Sequence, residues 1–138
     1  MKPPGLRMLL IDSSLWIEYY RPDGLRRRRE AILEVLTQDV VATSATVTVE
    51  VLRGATNPEN YDALRRDFSA LRWLESTRAA AEHGGRIGFD LRRRGEIVPA
   101  TDLLIATTAI EHGCELWHLD AHFERIAKVS SLKQRRLA

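Results

Sequence analysis

Four carboxylates, Asp12, Glu50, Asp102 and Asp120, stand where the residues around each one turn it toward a common rim. Asp12 closes the apolar run Met8-Leu9-Leu10-Ile11, and Asp120 follows Leu116-Trp117-His118-Leu119. Asp102 opens the apolar stretch Leu103-Leu104-Ile105-Ala106, and Glu50 shares a helical stretch with Val47 and Val51. Acids at the edges of buried elements are costly unless a positive charge offsets them. Two like charges about 4 Å apart repel by roughly 4 kcal/mol at an effective dielectric of 20, so a cluster of such acids must bind protons or cations. All-oxygen donors suit Mg²⁺, with Mn²⁺ the alternative. Such ions stabilise phosphodiester transition states and generate hydroxide at neutral pH. The chemistry implied is metal-dependent hydrolysis of a nucleic-acid backbone.

Each acid alone has a plainer explanation. Asp12 and Asp120 can cap the helices that follow them, Asp102 can favour a helix dipole, and Glu50 can be an exposed helix former. None of these explains why all four fall at one rim. The four histidines, His83, His112, His118 and His122, show no ligand spacing with cysteine, so zinc is the weaker reading. His118 reads as a strand residue with a possible supporting role beside the metal or a phosphate.

The elements that would position these acids alternate between strand and helix. Residues 7–12, 40–43 and 115–119 read as short buried strands, with a brief third strand at 73–74. Helices are expected over 26–37, with Ile32, Leu33 and Leu36 inward, and over 61–71 and 77–94. The helix after Asp12 should carry Leu15, Trp16, Ile17 and Tyr20 as its apolar residues, capped by Ser13 or Ser14. Ser44 or Thr46 should start the helix bearing Glu50. Gly84, Gly85 and Gly88 weaken the 77–94 helix. The clearest helix spans 101–112, capped by Thr101 and stopped by Gly113. A short helix follows over 121–127, and residues 129–132 are the candidate for an edge strand. The pattern predicts an α/β fold with a parallel sheet of four to five strands covered on both faces. In such sheets ligands bind beyond the carboxyl ends of the strands, where Asp12 and Asp120 are expected.

At 138 residues and 44% hydrophobic, the chain fits one domain with a sizeable core. No apolar run is long enough to cross a bilayer, and no convincing signal peptide precedes Asp12, so a cytoplasmic protein without membrane contact is expected. A single cysteine, Cys114, rules out an internal disulfide and reads as a small buried apolar residue. Net charge is +2, but the arginine runs at 26–29 and 92–94 and the cluster Lys133, Arg135 and Arg136 suit a polyanionic substrate. Residues 1–7 are expected to be a flexible extension, 8–132 the folded domain and 133–138 a basic tail.

At these residues the chain resembles the PIN-domain proteins, and specifically the VapC toxins of bacterial toxin–antitoxin pairs. The matches are residues 9–17, 46–54, 101–106 and 120–127. The resemblance implies a PIN-like three-layer fold and a Mg²⁺- or Mn²⁺-dependent endoribonuclease acting on tRNA or ribosomal RNA. It also implies a VapB-type antitoxin partner and a homodimer. Carried onto this chain, Asp12 and Asp102 become the principal metal ligands, Asp120 completes the metal site, and Glu50 orients the nucleophile, a metal-activated water. His118 departs from the family's usual Thr or Ser, and no clear last strand follows Ala127. The competing readings are a PIN nuclease for RNA processing without an antitoxin and a non-catalytic RNA-binding PIN-fold domain. A Rossmann-type nucleotide site is disfavoured, because Asp12-Ser13-Ser14 stands where a Gly-rich turn is required.

Overall fold

A computed structural model describes residues 7–138 of the chain. The expected extension at residues 1–7 lies, but for Arg7, outside the described residues. In chain order the elements are β1 (Leu9–Ile11), α1 (Ser13–Tyr20), α2 (Arg26–Leu36), β2 (Val41–Ser44), α3 (Ala45–Leu52) and α4 (Pro58–Ser69). They continue with β3 (Arg72–Leu74), α5 (Arg78–Arg93), α6 (Ala100–Glu111), β4 (Glu115–His118), α7 (Ala121–Lys128) and β5 (Lys133–Arg136). The five strands form one parallel sheet in the order β3-β2-β1-β4-β5, flanked by helices in a three-layer α/β arrangement.

The strand at the centre is the first in the chain. β1 pairs with β2 through Leu9↔Val41 and with β4 through Leu9↔Glu115 and Ile11↔Trp117. All three of its residues are buried, as an apolar strand covered on both faces must be. Asp12 and Asp120 fall one and two residues beyond the ends of β1 and β4, at the carboxyl edge of neighbouring strands.

Four local expectations are corrected. Asp12, not Ser13 or Ser14, caps α1, its side chain accepting from the Ser14 N–H. Helix α6 starts at Ala100 with Pro99 as its N-cap residue and no side-chain cap, so Thr101 does not cap it. The proline ring sets the backbone angle at the helix start without needing a capping side chain. Leu33 is half exposed rather than inward, as is the apolar Ile17 of α1. The buried stripe of α1 runs through Leu15 and Trp16, and that of α2 through Ile32, and a residue one step along is rotated by about 100°. The edge strand forms at Lys133–Arg136, inside the stretch 133–138 expected as a basic tail and not at 129–132, and pairs with β4 from Glu115↔Lys133 to His118↔Arg136. Leu132 and Leu137 are buried on either side of it, holding down a strand whose own side chains are polar.

The glycines of α5 leave the helix unbroken and serve packing. A Cβ at Gly88 would sit 2.7 Å from Leu103 Cδ1, and one at Gly84 would sit 3.5 Å from the Leu103 carbonyl oxygen. Small residues there let α5 lie close along α6. That packing fixes the start of α6, and with it Asp102.

Candidate metal centre

Asp12 is the most buried of the four acids, 3% exposed. It caps α1: its Oδ2 accepts from the Ser14 backbone N–H at 3.1 Å and from the Ser14 hydroxyl at 2.6 Å. Ser14 Oγ in turn accepts from the Leu119 N–H at 3.2 Å, which ties the end of β1 to the end of β4. The other carboxylate oxygen, Asp12 Oδ1, is buried and has no hydrogen-bond partner among the described residues. Burial pushes the Asp12 carboxyl above its ordinary value, against the lowering effect of the Ser14 bonds. Capping and metal binding are therefore not competing roles, since one oxygen caps and the other is left over.

Asp102 lies in the first turn of α6, and its Oδ2 is 2.9 Å from His122 Nδ1. Its carboxyl is pushed up to about 6, first by burial and then by the charges of Asp12 and Asp120, with the His122 bond acting against them. Asp120 caps α7 through Oδ1, which accepts from the His122 N–H at 2.9 Å and lies 3.2 Å from His122 Nδ1. Ligand atoms of Asp102, Asp120 and His122 all lie within 4.8 Å of one another. Glu50 is half-buried and accepts from the Ser13 hydroxyl at 2.9 Å, so it reaches the site through the residue between Asp12 and Ser14.

The structure thus brings Asp102 and Asp120 together, sets Asp12 close enough for its charge to act on Asp102, and places Glu50 at one remove. Sequence reasoning missed His122 as a member of the group. The available signal was its place two residues after an acid that caps the same helix, which puts both side chains at one helix N-terminus. His118 is buried, and its Nδ1 accepts from the Asp120 backbone N–H at 3.0 Å. An accepting Nδ1 carries no proton, so Nε2 carries it and donates to Gln134 Oε1 at 2.6 Å. The histidine that replaces the family's Thr or Ser is therefore a strut from β5 to the backbone of Asp120.

These donors fit a hard divalent cation. Three acids converge, and among the described residues no lysine or arginine side chain forms an ion pair with them. One buried carboxylate oxygen stands ready with no other partner. The arginine surfaces differ from each other. Arg26 pairs with Glu30, Arg28 with Glu18, Arg27 binds the Ala138 carbonyl and Arg29 the Arg21 carbonyl. Arg92, Arg93 and Arg94 are exposed, with Arg93 over the Phe89 ring.

The sequence matches the PIN domain family over residues 9–129. VapC ribonuclease Mb1587 of Mycobacterium bovis is 34% identical over 134 residues, spanning 91% of this chain and 96% of its own length. The structure resembles VapBC2 from Rickettsia felis bound to a DNA fragment from their promoter, with a TM-score of 0.77 at 19% identity over 95% of this chain and 99% of that one. It also resembles VapBC-5 from Mycobacterium tuberculosis, a member of the VapBC family of toxin–antitoxin systems, with a TM-score of 0.70 at 20% identity over 96% of this chain and 100% of that one. The two structural likenesses support the fold, and the sequence relationship carries the assignment further. The chain belongs to the PIN-domain family, among its VapC ribonucleases.

Proposed function

We propose that this protein is the endoribonuclease toxin of a VapBC-type pair, cutting RNA with the help of Mg²⁺ or Mn²⁺ and so arresting growth. The observation that carries the metal dependence is the buried, unpartnered Asp12 Oδ1 beside the Asp102–Asp120 pair at the carboxyl edge of the sheet. A bound divalent cation would supply Lewis-acid charge and lower the pKa of water. Asp12 and Asp102 hold that cation, and Asp120 completes the site. Glu50, kept in place by the Ser13 hydroxyl, offers a carboxylate that orients the attacking water. Without a cation the same acids repel a phosphodiester, so they couple substrate entry to metal loading. The exposed arginines at 92–94 supply phosphate affinity, whereas those at 26–29 are largely engaged within the chain.

Named relatives support the RNA substrate and the toxin role. They also support a VapB-type antitoxin partner, which would make the cytoplasm the working compartment. Exposed Phe89 and Ile97, which line one groove, offer apolar surface for a homodimer. Among the described residues no helix is long and apolar enough to cross a membrane. Ribosomal RNA or tRNA is the expected target class.

The test is inducible expression in bacteria of wild type, Asp12→Ala and Asp102→Asn. Growth arrest and RNA cleavage are expected from wild type alone, and purified wild type should lose cleavage in EDTA and regain it with Mg²⁺ or Mn²⁺. Equal cleavage by the variants would overturn the assignment.

A further inference from the structure

One member of the candidate centre differs chemically from the rest. His122 Nδ1 lies 2.9 Å from Asp102 Oδ2 and 3.2 Å from Asp120 Oδ1. Adjacent donors on an octahedral ion with bonds of about 2.1 Å are themselves about 3.0 Å apart, so Nδ1 is already spaced from each oxygen as a neighbour in one coordination sphere, and ligand atoms of the three residues all lie within 4.8 Å of one another. The ring is not free to drift. The His122 backbone N–H is bonded to Asp120 Oδ1, so acid and imidazole are fixed as a unit at the start of α7. A second observation, independent of this cluster, points the same way: Asp12 Oδ1 is buried without a partner, and the Asp12 charge acts on Asp102.

We infer that His122 Nδ1 is a nitrogen donor to the cation held by Asp102 and Asp120, and that it biases the site toward Mn²⁺ over Mg²⁺. The inference rests on the metal-dependent nuclease reading above and names the ion that reading left as a pair. In the metal-free protein Nδ1 lies at donor distance from both carboxylates, and a bound cation would take the place of that proton, leaving the ring proton on Nε2 and the Nδ1 lone pair for the ion. Mg²⁺ favours oxygen donors and keeps its waters, whereas Mn²⁺ stands on the transition-metal series in which imidazole is a good ligand. A histidine that only positioned the acids by donating a hydrogen bond would favour neither ion, and an asparagine amide would replace it.

The experiment compares the full-length wild type with His122→Ala and His122→Asn, each shown to be folded by circular dichroism and thermal melting. Pulsed electron paramagnetic resonance on the Mn²⁺-loaded proteins reads whether a nitrogen is bonded to the metal, and calorimetry gives Mn²⁺ and Mg²⁺ affinities. Wild type is expected to show ¹⁴N coupling that both variants lose, and the Mn²⁺:Mg²⁺ affinity ratio should fall about tenfold in both. Absence of ¹⁴N coupling in wild type, an unchanged ratio, or recovery of the ratio by His122→Asn would overturn the inference. Asp102→Asn separates the two levels. If it abolishes Mn²⁺ binding and RNA cleavage while the His122 results fail, only the ligand assignment is lost. If it retains both, the site itself falls and the inference falls with it.

Discussion

In β1, Leu9, Leu10 and Ile11 are all buried, whereas in β5 Lys133, Arg135 and Arg136 are exposed and only Gln134 turns partly inward. The first strand is held by apolar burial on both faces. The second is held by backbone pairing to β4 and by the buried leucines at its two ends. Charged side chains on an edge strand also discourage pairing with another sheet. Yet both regions reach the acidic centre: β1 delivers Asp12 directly, and β5 braces Asp120 through Gln134 and His118. A strand's contribution to a site is thus independent of how hydrophobic it is.

The largest effect that tests this contrast lies at the central strand's own acid. Asp12→Ala should cut RNA cleavage by about a hundredfold or more, the scale of losing one preorganised charge-stabilising group, as measured on a defined RNA oligonucleotide. Next, Leu10→Ala should destabilise the fold by about 2–5 kcal/mol in urea titrations, as a core truncation. Gln134→Leu leaves the His118 Nε2–H without its acceptor and should cost about 1–3 kcal/mol. It should also weaken divalent-ion affinity by about tenfold in calorimetry, because Asp120 is no longer braced. If ion affinity stays unchanged, β5 is an edge strand and nothing more. The smallest effect belongs to Lys133→Ala, expected within about 0.5 kcal/mol of wild type.

The pH dependence sharpens the same comparison from the acidic side. In metal-free protein, burial and the neighbouring acids push the Asp102 carboxyl up to about 6 when folded, against its ordinary 3.8. Between those values the folded state holds a proton that the unfolded state has released, so this group's contribution to stability falls as pH rises through the window. Urea midpoints in EDTA should therefore decline from pH 4 to pH 6 in wild type relative to Asp102→Asn, and added divalent ion should remove the difference. A parallel pair of curves would mean that Asp102 is not strained by its neighbours.

What the sequence made legible follows from what each element depends on. β1, β2 and β4 announce themselves as short, largely buried runs, and the acids just beyond β1 and β4 marked the rim. Asp102 was legible because the apolar face of α6 forces its first turn inward. β5 was hidden because its pairing is made by backbone atoms, and Lys133, Arg135 and Arg136 read as a solvated tail. His122 was hidden because its role comes from the Asp120 cap, a contact that brings its ring back toward a helix far away in sequence. Thr101 misled as a cap because the rigid backbone of Pro99 starts α6 without one.

The chain's first strand occupies the middle of the sheet, and its neighbour on one side is β4. A growing polypeptide therefore carries Asp12 and Glu50 long before Asp102, Asp120 and His122 have been synthesised. Pairings so remote in sequence are late events in folding. The acidic centre proposed to cut RNA is in this way withheld from the half-made chain, and it is completed only as the second half of the sheet closes against the first.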